Sequence, residues 1–534
     1  MPKTAVPKPA GPKPAGPAAA DPPAAGEVLV AVDVGTSGAR AAAFDLHGRP
    51  AGQVRRPFPT ATPRDEWAEQ DATAWRRAAL SALGALIAQL GPHHPVLAIG
   101  LTGQCPSVVP VGRRGEPLRP GIIYRDNRAT AESRALRERF GDAALHARTG
   151  QVPTAFYTAA KIGWIRAHEP ATFGAARLFL QPSEYAGLAL TGEPVTDWTL
   201  AGATAMFDIA QRIWAADLLA WLDLDPARLP VPQPSWTVAG ELRPALVRRF
   251  GLARPVPVIV GAADSLACAL GAGVTAPGPV SEMAGSSTCL NSVVAEPLPD
   301  LDVAIYASPM GPAGYMTETG INTAGEALDW VAALAYGGRA GRPLTRDYER
   351  LDREAAGVPP GADGLLFVPV LGDGERDDPA LRGTVTGLSL RHGRAAWARA
   401  AMEGVAFGMR ALLEVLGRDR EPAAELRVSG QAAGLRTWNQ ITADVLGVPV
   451  LHVPGDATAA GVAMLAGIGA GVYSGPGEAV AAACHPAEPL LPDPGRARVY
   501  DAAYRRYRAV IASDLARAGP VCQHAASGDE EGLP

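Results

Sequence analysis

Val28-Leu-Val-Ala-Val-Asp33-Val-Gly35-Thr36-Ser37-Gly38-Ala-Arg40-Ala-Ala-Ala-Phe-Asp-Leu-His-Gly48 is the stretch from which the fold can be read. An apolar run ends in an aspartate, turns through glycines and hydroxyls, and returns as a second apolar run, the pattern of a buried β-hairpin. Gly35 and Gly38 are expected to permit positive φ and to let backbone N–H groups approach an anion closely. Thr36 and Ser37 add hydroxyl donors. Asp33, at the strand end, has the chemistry to hold Mg²⁺ directly or through water. The alternative is a plain hairpin whose aspartate satisfies turn amides.

The same pattern recurs at Val280-Ser-Glu-Met-Ala-Gly285-Ser286-Ser287-Thr288-Cys-Leu-Asn-Ser-Val-Val294. Two hydroxylated hairpins, one in each half, predict two related domains that face each other and offer amides and hydroxyls to one polyphosphate. A third element, Pro257-Val-Ile-Val-Gly261-Ala-Ala-Asp264-Ser265, puts an aspartate between a strand end and the apolar run Leu266–Leu270. Asp264 reads either as a helix cap or as a carboxylate that orients a substrate hydroxyl and takes its proton.

Outward from these motifs, strand and helix patterns alternate. Val28–Val32, Ala41–Phe44, Val96–Leu101, Val256–Val260 and Leu426–Ser429 read as strands; Thr73–Leu90, Ala395–Leu416 and Trp438–Leu446 read as helices. Pro277-Gly278-Pro279 punctuates the middle. The chain divides into a disordered Pro/Ala-rich leader (1–26), two domains (27–276 and 277–518) and a flexible polar tail (519–534). The uncharged run between Asp456 and Glu478 is dominated by Ala and Gly and cut by Ser474-Gly475-Pro476, which favours a close-packed interior helix over a membrane span.

Composition excludes several chemistries. The 534 residues carry 49 Lys+Arg against 54 Asp+Glu, a net charge of -5 that argues against a dedicated nucleic-acid binder. The only lysines are Lys3, Lys8, Lys13 and Lys161, and no Gly-Lys-Ser/Thr occurs, so a Walker-A loop is absent and Schiff-base chemistry would rest on Lys161 alone. Cysteines 105, 268, 289, 484 and 522 are scattered and lack a C-x-x-C pair, which favours a reducing, cytoplasmic setting without disulfides or zinc. His93-His94 has no third ligand nearby in sequence. Trp75 falls on a helical apolar face, whereas Trp67 is a candidate for stacking on a sugar.

Several motifs occur in an order that resembles the FGGY carbohydrate kinases. They are Asp33-x-Gly35-Thr36-Ser37-x-x-Arg40, Trp67-x-Glu69-Gln70-Asp71, Tyr124-Arg125-Asp126-Asn127-Arg128, Gly261-x-x-Asp264 and Gly285-Ser286-Ser287-Thr288. Gly374-Glu375-Arg376, Arg382-Gly383, Glu403-Gly404, Trp438-Asn439-Gln440 and Ala443-Asp444 continue the series. Within the family the xylulokinase branch is most similar.

The resemblance, which runs from about residue 27 to 507, implies an α/β protein with two actin-like (ribonuclease H-like) ATPase domains flanking a central cleft. It implies ATP, Mg²⁺ and a small sugar as ligands, with neither nucleic acid nor membrane as partner, and is compatible with a homodimer. Carried over by position, Asp264 would be the catalytic base and Asp33 would sit by Mg²⁺ and the transferred phosphoryl. Gly35, Thr36, Ser37, Arg40 and Gly285, Ser286, Ser287, Thr288 would line the phosphate path, and Gly430, Gln431 and Asn439 would approach the adenosine. Gln104, Cys105, Arg125 and Asp126, with Asp264, would fall in the sugar region.

Two departures bear on the acceptor. Cys105-Pro106-Ser107 stands where xylulokinases carry Met-His-Gly, and Ser265 stands where they carry Asn after the catalytic Asp. Losing an imidazole and an amide changes the hydrogen bonds offered to sugar hydroxyls. D-xylulose is the expected acceptor; ribulose, gluconate and an erythritol-type polyol are the alternatives, with a silent sugar or nucleotide sensor, or an actin-like ATPase module, outside the class.

Overall fold

The computed structural model describes residues 26–311, 314–336, 345–372, 381–417 and 422–518. The leader (save Gly26), Gly374-Glu375-Arg376, the tail from 519 and the Gln431 side chain lie outside the described residues. The elements that position the site are, in the first half, β1 (Val28–Gly35), β2 (Gly38–Asp45), β3 (Pro50–Pro57), α1 (Ala72–Leu90), β4 (Val96–Gly103), α2 (Thr158–His168), β5 (Val238–Glu241), β6 (Pro257–Ile259) and α3 (Asp264–Gly271). The second half supplies β7 (Pro279–Ala284), β8 (Thr288–Val294), β9 (Ala304–Ala307), β10 (Tyr315–Ile321), α4 (Gly325–Tyr336), α5 (Arg394–Leu416), β11 (Glu425–Ser429), α6 (Arg436–Leu446), β12 (Val450–His452) and α7 (Ala457–Gly469).

Two six-stranded sheets result, ordered β5-β6-β4-β1-β2-β3 and β9-β10-β8-β7-β11-β12. They share one plan. In each, a hairpin (β1–β2, β7–β8) pairs antiparallel and its first strand then pairs parallel with a strand further along the chain (β4, β11). The second hairpin strand then pairs antiparallel with a further strand, β2 with β3 and β8 with β10. Both glycine-and-hydroxyl turns therefore lie at corresponding points of the two sheets.

β1 shows why its sequence is almost unbroken in apolar character. Val28, Val30, Val32 and Val34 join a core with Trp75, Leu83 and Leu86 of α1, while Leu29 and Ala31 join another with Ala267 and Leu270 of α3 and Val462 of α7. A strand covered on both faces has no polar side, so period-two alternation disappears. Asp71 starts α1 by accepting from the Thr73 N–H at 2.8 Å, and Trp75 is fully buried.

α7 is the uncharged run after Asp456. It packs across α3 and onto β1 and β4, so this late segment belongs to the core of the first sheet. The crossing is close enough to require glycine: a Cβ on Gly461 would lie 1.9 Å from the Ala267 carbonyl oxygen, and one on Gly271 would lie 1.9 Å from that of Ala457. Among the described residues, no helix is long and apolar enough to cross a membrane.

Candidate active site

Asp264 opens α3 directly after β6. The chain reaches this position through Gly261, whose φ is +83° and whose Cβ, were there one, would lie 1.6 Å from the Leu101 carbonyl oxygen. Only a glycine lets β6 pass β4 this closely. The Asp264 carboxylate accepts from the Ser265 N–H at 2.8 Å. Burial, then the negative charges of Asp33 and Glu318, push its pKa up to about 7. The carboxylates of β1, α3 and β10 therefore share one neighbourhood.

Asp33 is itself pushed up by burial, opposed by Arg40, whose Nη2 lies 3.1 Å from its Oδ2. The other arm of Arg40 pairs with Asp456, and Asp456 caps α7 by accepting from the Ala459 N–H at 3.1 Å. Arg40 is thus shared between two carboxylates. The turn after Asp33 is held from behind: Gln70 Nε2 donates to the Thr36 carbonyl at 2.8 Å, and Gln70 Oε1 accepts from Trp75 Nε1 at 2.7 Å and Gln104 Nε2 at 2.8 Å. Gln70 ties the phosphate-type turn to the Gln104-Cys105 loop, a role invisible in sequence because its partners are dispersed.

One of the two glycine expectations for the first turn changes. Gly35 has no positive φ, and a Cβ there would meet the Asp33 oxygens at 3.6 Å, an ordinary contact. Gly38 has the expected positive φ (+157°), and crowding requires it as well, since its Cβ would sit 2.6 Å from the Arg56 carbonyl oxygen. Thr36 Oγ1 donates to Tyr124 Oη at 3.4 Å, and the exposed Ser37 hydroxyl accepts from Arg55.

In the second turn Gly285 and Ser286 are exposed, and their carbonyls accept from Gly325 (3.2 Å) and from Ala324 and Glu326 (3.0 and 3.1 Å) at the start of α4. Ser287 is half-buried, its carbonyl accepting from the Gly285 N–H at 3.0 Å. Thr288 departs from expectation: it is 1% exposed and its hydroxyl donates to Glu282 Oε1 at 3.2 Å, so it belongs to β8 and faces inward. A cavity of about 390 Å³, counting its open mouth, adjoins this turn, lined by Ala284, Gly285, Ser286, Gly325, Asp329, Tyr348 and Trp438. Asp329 accepts from Tyr348 Oη, and burial with the nearby Glu326 pushes it up to about 6. Sequence reasoning missed Asp329, whose one signal was its place three residues after Glu326 in an otherwise apolar helix that begins at a glycine. Gly430 ends β11 beside this turn, and Asn439, buried on α6, donates to the Ala433 carbonyl at 2.7 Å. Asn439 therefore braces the Gly430 turn from within.

The sugar-region residues divide. Cys105 Sγ lies by the Asp264 N–H, and burial with the charges of Asp264, Glu318 and Asp197 pushes its thiol well up, which leaves it a poor nucleophile. Gln104 is buried, and its Oε1 has no partner among the described residues. Arg125 is exposed and donates from Nε to Tyr124 Oη at 3.0 Å. Asp126 departs from expectation. It is fully buried and its oxygens accept from Ala68 N–H (2.6 Å) and from Arg128 (2.8 and 2.6 Å). Arg128 in turn pairs with Glu69 at 2.7 Å and lies 3.5 Å from the Trp67 ring centroid. Asp126 is thus engaged by a buried network with Arg128 and Glu69, against which the half-buried Trp67 packs. Lys161 is likewise fully buried, with Nζ donating to the Phe156 carbonyl.

Among the described residues no three His, Cys, Asp or Glu side chains converge as a metal site. A single carboxylate beside a phosphate-type turn suits a Mg²⁺ that keeps its waters and arrives with phosphate oxygens.

Residues 28–271 match the model for the N-terminal domain of the FGGY family of carbohydrate kinases, and residues 281–470 match that for its C-terminal domain. The chain belongs to the FGGY family of carbohydrate kinases. It is similar to a xylulose kinase of Bacillus subtilis (27% identical over 451 residues, 83% of this chain and 89% of the relative). It is also similar to a glycerol kinase of Leptothrix cholodnii (32% over 467 residues, 84% and 91%). The crystal structure of xylulose kinase from Rhodospirillum rubrum superimposes with a TM-score of 0.83 at 34% identity, over 92% of this chain and 99% of that one. As an FGGY kinase the chain has two actin-like ATPase domains and is a phosphotransferase with an alcohol group as acceptor.

Proposed function

We propose that this FGGY kinase transfers the γ-phosphoryl group of ATP to the terminal hydroxyl of a ketose or polyol, with D-xylulose giving D-xylulose 5-phosphate as the leading case. The observation that carries the reading is Asp264: a carboxylate at the first turn of α3, facing Asp33 and raised to about 7. A base poised near neutrality suits an alcohol that sheds its proton as the new bond forms.

In the proposed reaction the acceptor oxygen bonds to the γ-phosphorus and its proton passes to Asp264. The bond from that phosphorus to the β–γ bridging oxygen breaks, and its electron pair leaves with ADP. Asp33 would hold Mg²⁺, which when bound supplies charge neutralisation to the phosphates. The Thr36–Ser37 turn and the Gly285–Ser286 turn would flank the triphosphate, and the cavity beside Ser286, with Asp329 and Trp438, would take the nucleoside. Closing the halves, which we read as residues 27–276 and 277–518, would exclude water as a competing acceptor.

The test is a panel of D-xylulose, ribulose, gluconate, erythritol and glycerol with ATP and Mg²⁺, read as ADP release. D-xylulose is expected to give the highest kcat/KM. No acceptor-dependent release from any of them would overturn the reading, and a clear preference for glycerol would move the acceptor to the substrate named for the Leptothrix relative.

A further inference from the structure

Ser265 follows the proposed base and is 5% exposed; its hydroxyl donates to Glu318 Oε2. Glu318 lies mid-strand in β10, opposite Asn291, and is 8% exposed. The bond therefore joins the first turn of α3 in one half to the sheet of the other, and the charge of Glu318 is felt by both Asp264 and Cys105. A serine hydroxyl has one hydrogen and two lone pairs. With that hydrogen committed to a carboxylate, only lone pairs remain to meet a ligand. Such a serine accepts from a neighbouring hydroxyl and has nothing to donate to a carbonyl.

We propose that Glu318 is a positioning residue that locks Ser265 as a hydrogen-bond acceptor, so that the acceptor molecule must carry a hydroxyl, not a carbonyl, on the carbon next to the alcohol that is phosphorylated. This rests on the reading of Asp264 as base and narrows the acceptor to a terminal vicinal diol. D-xylulose offers both kinds of end, one hydroxymethyl beside a ketone and one beside a secondary alcohol, so the position of the phosphate reports the lock. Glycerol and dihydroxyacetone make the same contrast in two molecules.

Glu318→Gln keeps the size of the side chain and, with its Nε2 turned to donate to Ser265 Oγ, frees the serine hydrogen; Glu318→Leu, which neither donates nor accepts, frees it in every orientation and is expected to act in the same direction. With D-xylulose, wild-type protein is expected to give only the 5-phosphate by ³¹P NMR. Glu318→Gln is expected to raise KM for the acceptor about tenfold or more, to give 1-phosphate as well, and to leave KM for ATP within about twofold. Ser265→Ala, which leaves Glu318 in place, is expected to raise the same KM, and the double variant to be no worse than Ser265→Ala alone. Should the panel favour glycerol, the readout is the ratio of glycerol to dihydroxyacetone turnover, expected to fall in both variants.

Unchanged acceptor KM and product position in folded Glu318→Gln and Glu318→Leu proteins would overturn the inference, as would effects of the Glu318 and Ser265 substitutions that multiply. If Glu318→Gln fails to fold, Ser265→Ala decides by itself, and an unchanged acceptor KM there is equally fatal. A wild type inert toward every acceptor sinks the proposed function and this inference together, whereas an active wild type with indifferent variants sinks only the inference.

Discussion

Asp264 carries opposed demands. Burial and two carboxylate neighbours raise its pKa from 3.8 to about 7, so the folded protein holds this proton more tightly than the unfolded chain does. For an acid raised in this way, the contribution to stability is complete below about pH 4 and is lost as pH rises through 7. Asp264→Asn removes the loss. Its unfolding free energy should match wild type near pH 4 and exceed it above pH 7, by about 1–3 kcal/mol after allowance for partial exposure, with the thermal midpoint rising accordingly. The same variant should lose about a hundredfold or more of kcat, with acceptor KM little changed. In the wild type, kcat/KM should fall as pH drops below 7. A variant with near-normal kcat would make Asp264 a local turn residue. Asp264 could be proposed from sequence because a strand end, a glycine and an acid form a local pattern. Glu318 could not: it sits in a strand far along the chain, and nothing near it in sequence points to Ser265.

Elements were legible where the pattern is local and hidden where tertiary register decides. Both hairpins, α1 and α5 announce themselves by apolar spacing. Asp126 misled for a physical reason. An acid flanked by arginines looks the same in sequence whether it meets a ligand or is consumed by Arg128 and a backbone amide. Thr288 misled because a strand's first hydroxyl turns either outward to the loop or inward to its sheet, and Glu282 draws it inward. At this scale the α3–α7 crossing makes a sharp prediction. Gly461→Ala would drive a methyl group to 1.9 Å from the Ala267 carbonyl oxygen, with backbone on both sides and no flexible side chain to yield. We expect about 2–4 kcal/mol of destabilisation by denaturant unfolding, together with reduced kcat, because α3 carries Asp264. Gly471→Ala at a solvent-exposed left-handed position (φ +75°), where a Cβ meets nothing within 4 Å, is the control and should cost about 1 kcal/mol.

For the whole molecule, the two sheets share a central hairpin with a parallel partner strand, yet the core does not divide where the chain does. Leu29 and Ala31 of the first sheet are covered by Val462 and its neighbours on α7, more than four hundred residues later in sequence. A fragment ending at residue 276 would leave that leucine-and-alanine face without its α7 cover, and the partner fragment would display an apolar helix with nothing beneath it. Neither piece made alone should stay soluble and monomeric. Mixed during refolding, they should recover a single complex with measurable kinase activity, a split-protein complementation. Two independently stable fragments would contradict this. The late helix thus acts as a molecular clasp: a ribosome must release nearly the whole polypeptide before the earliest strands gain their second cover, which makes the nascent first half a natural client for a holding chaperone.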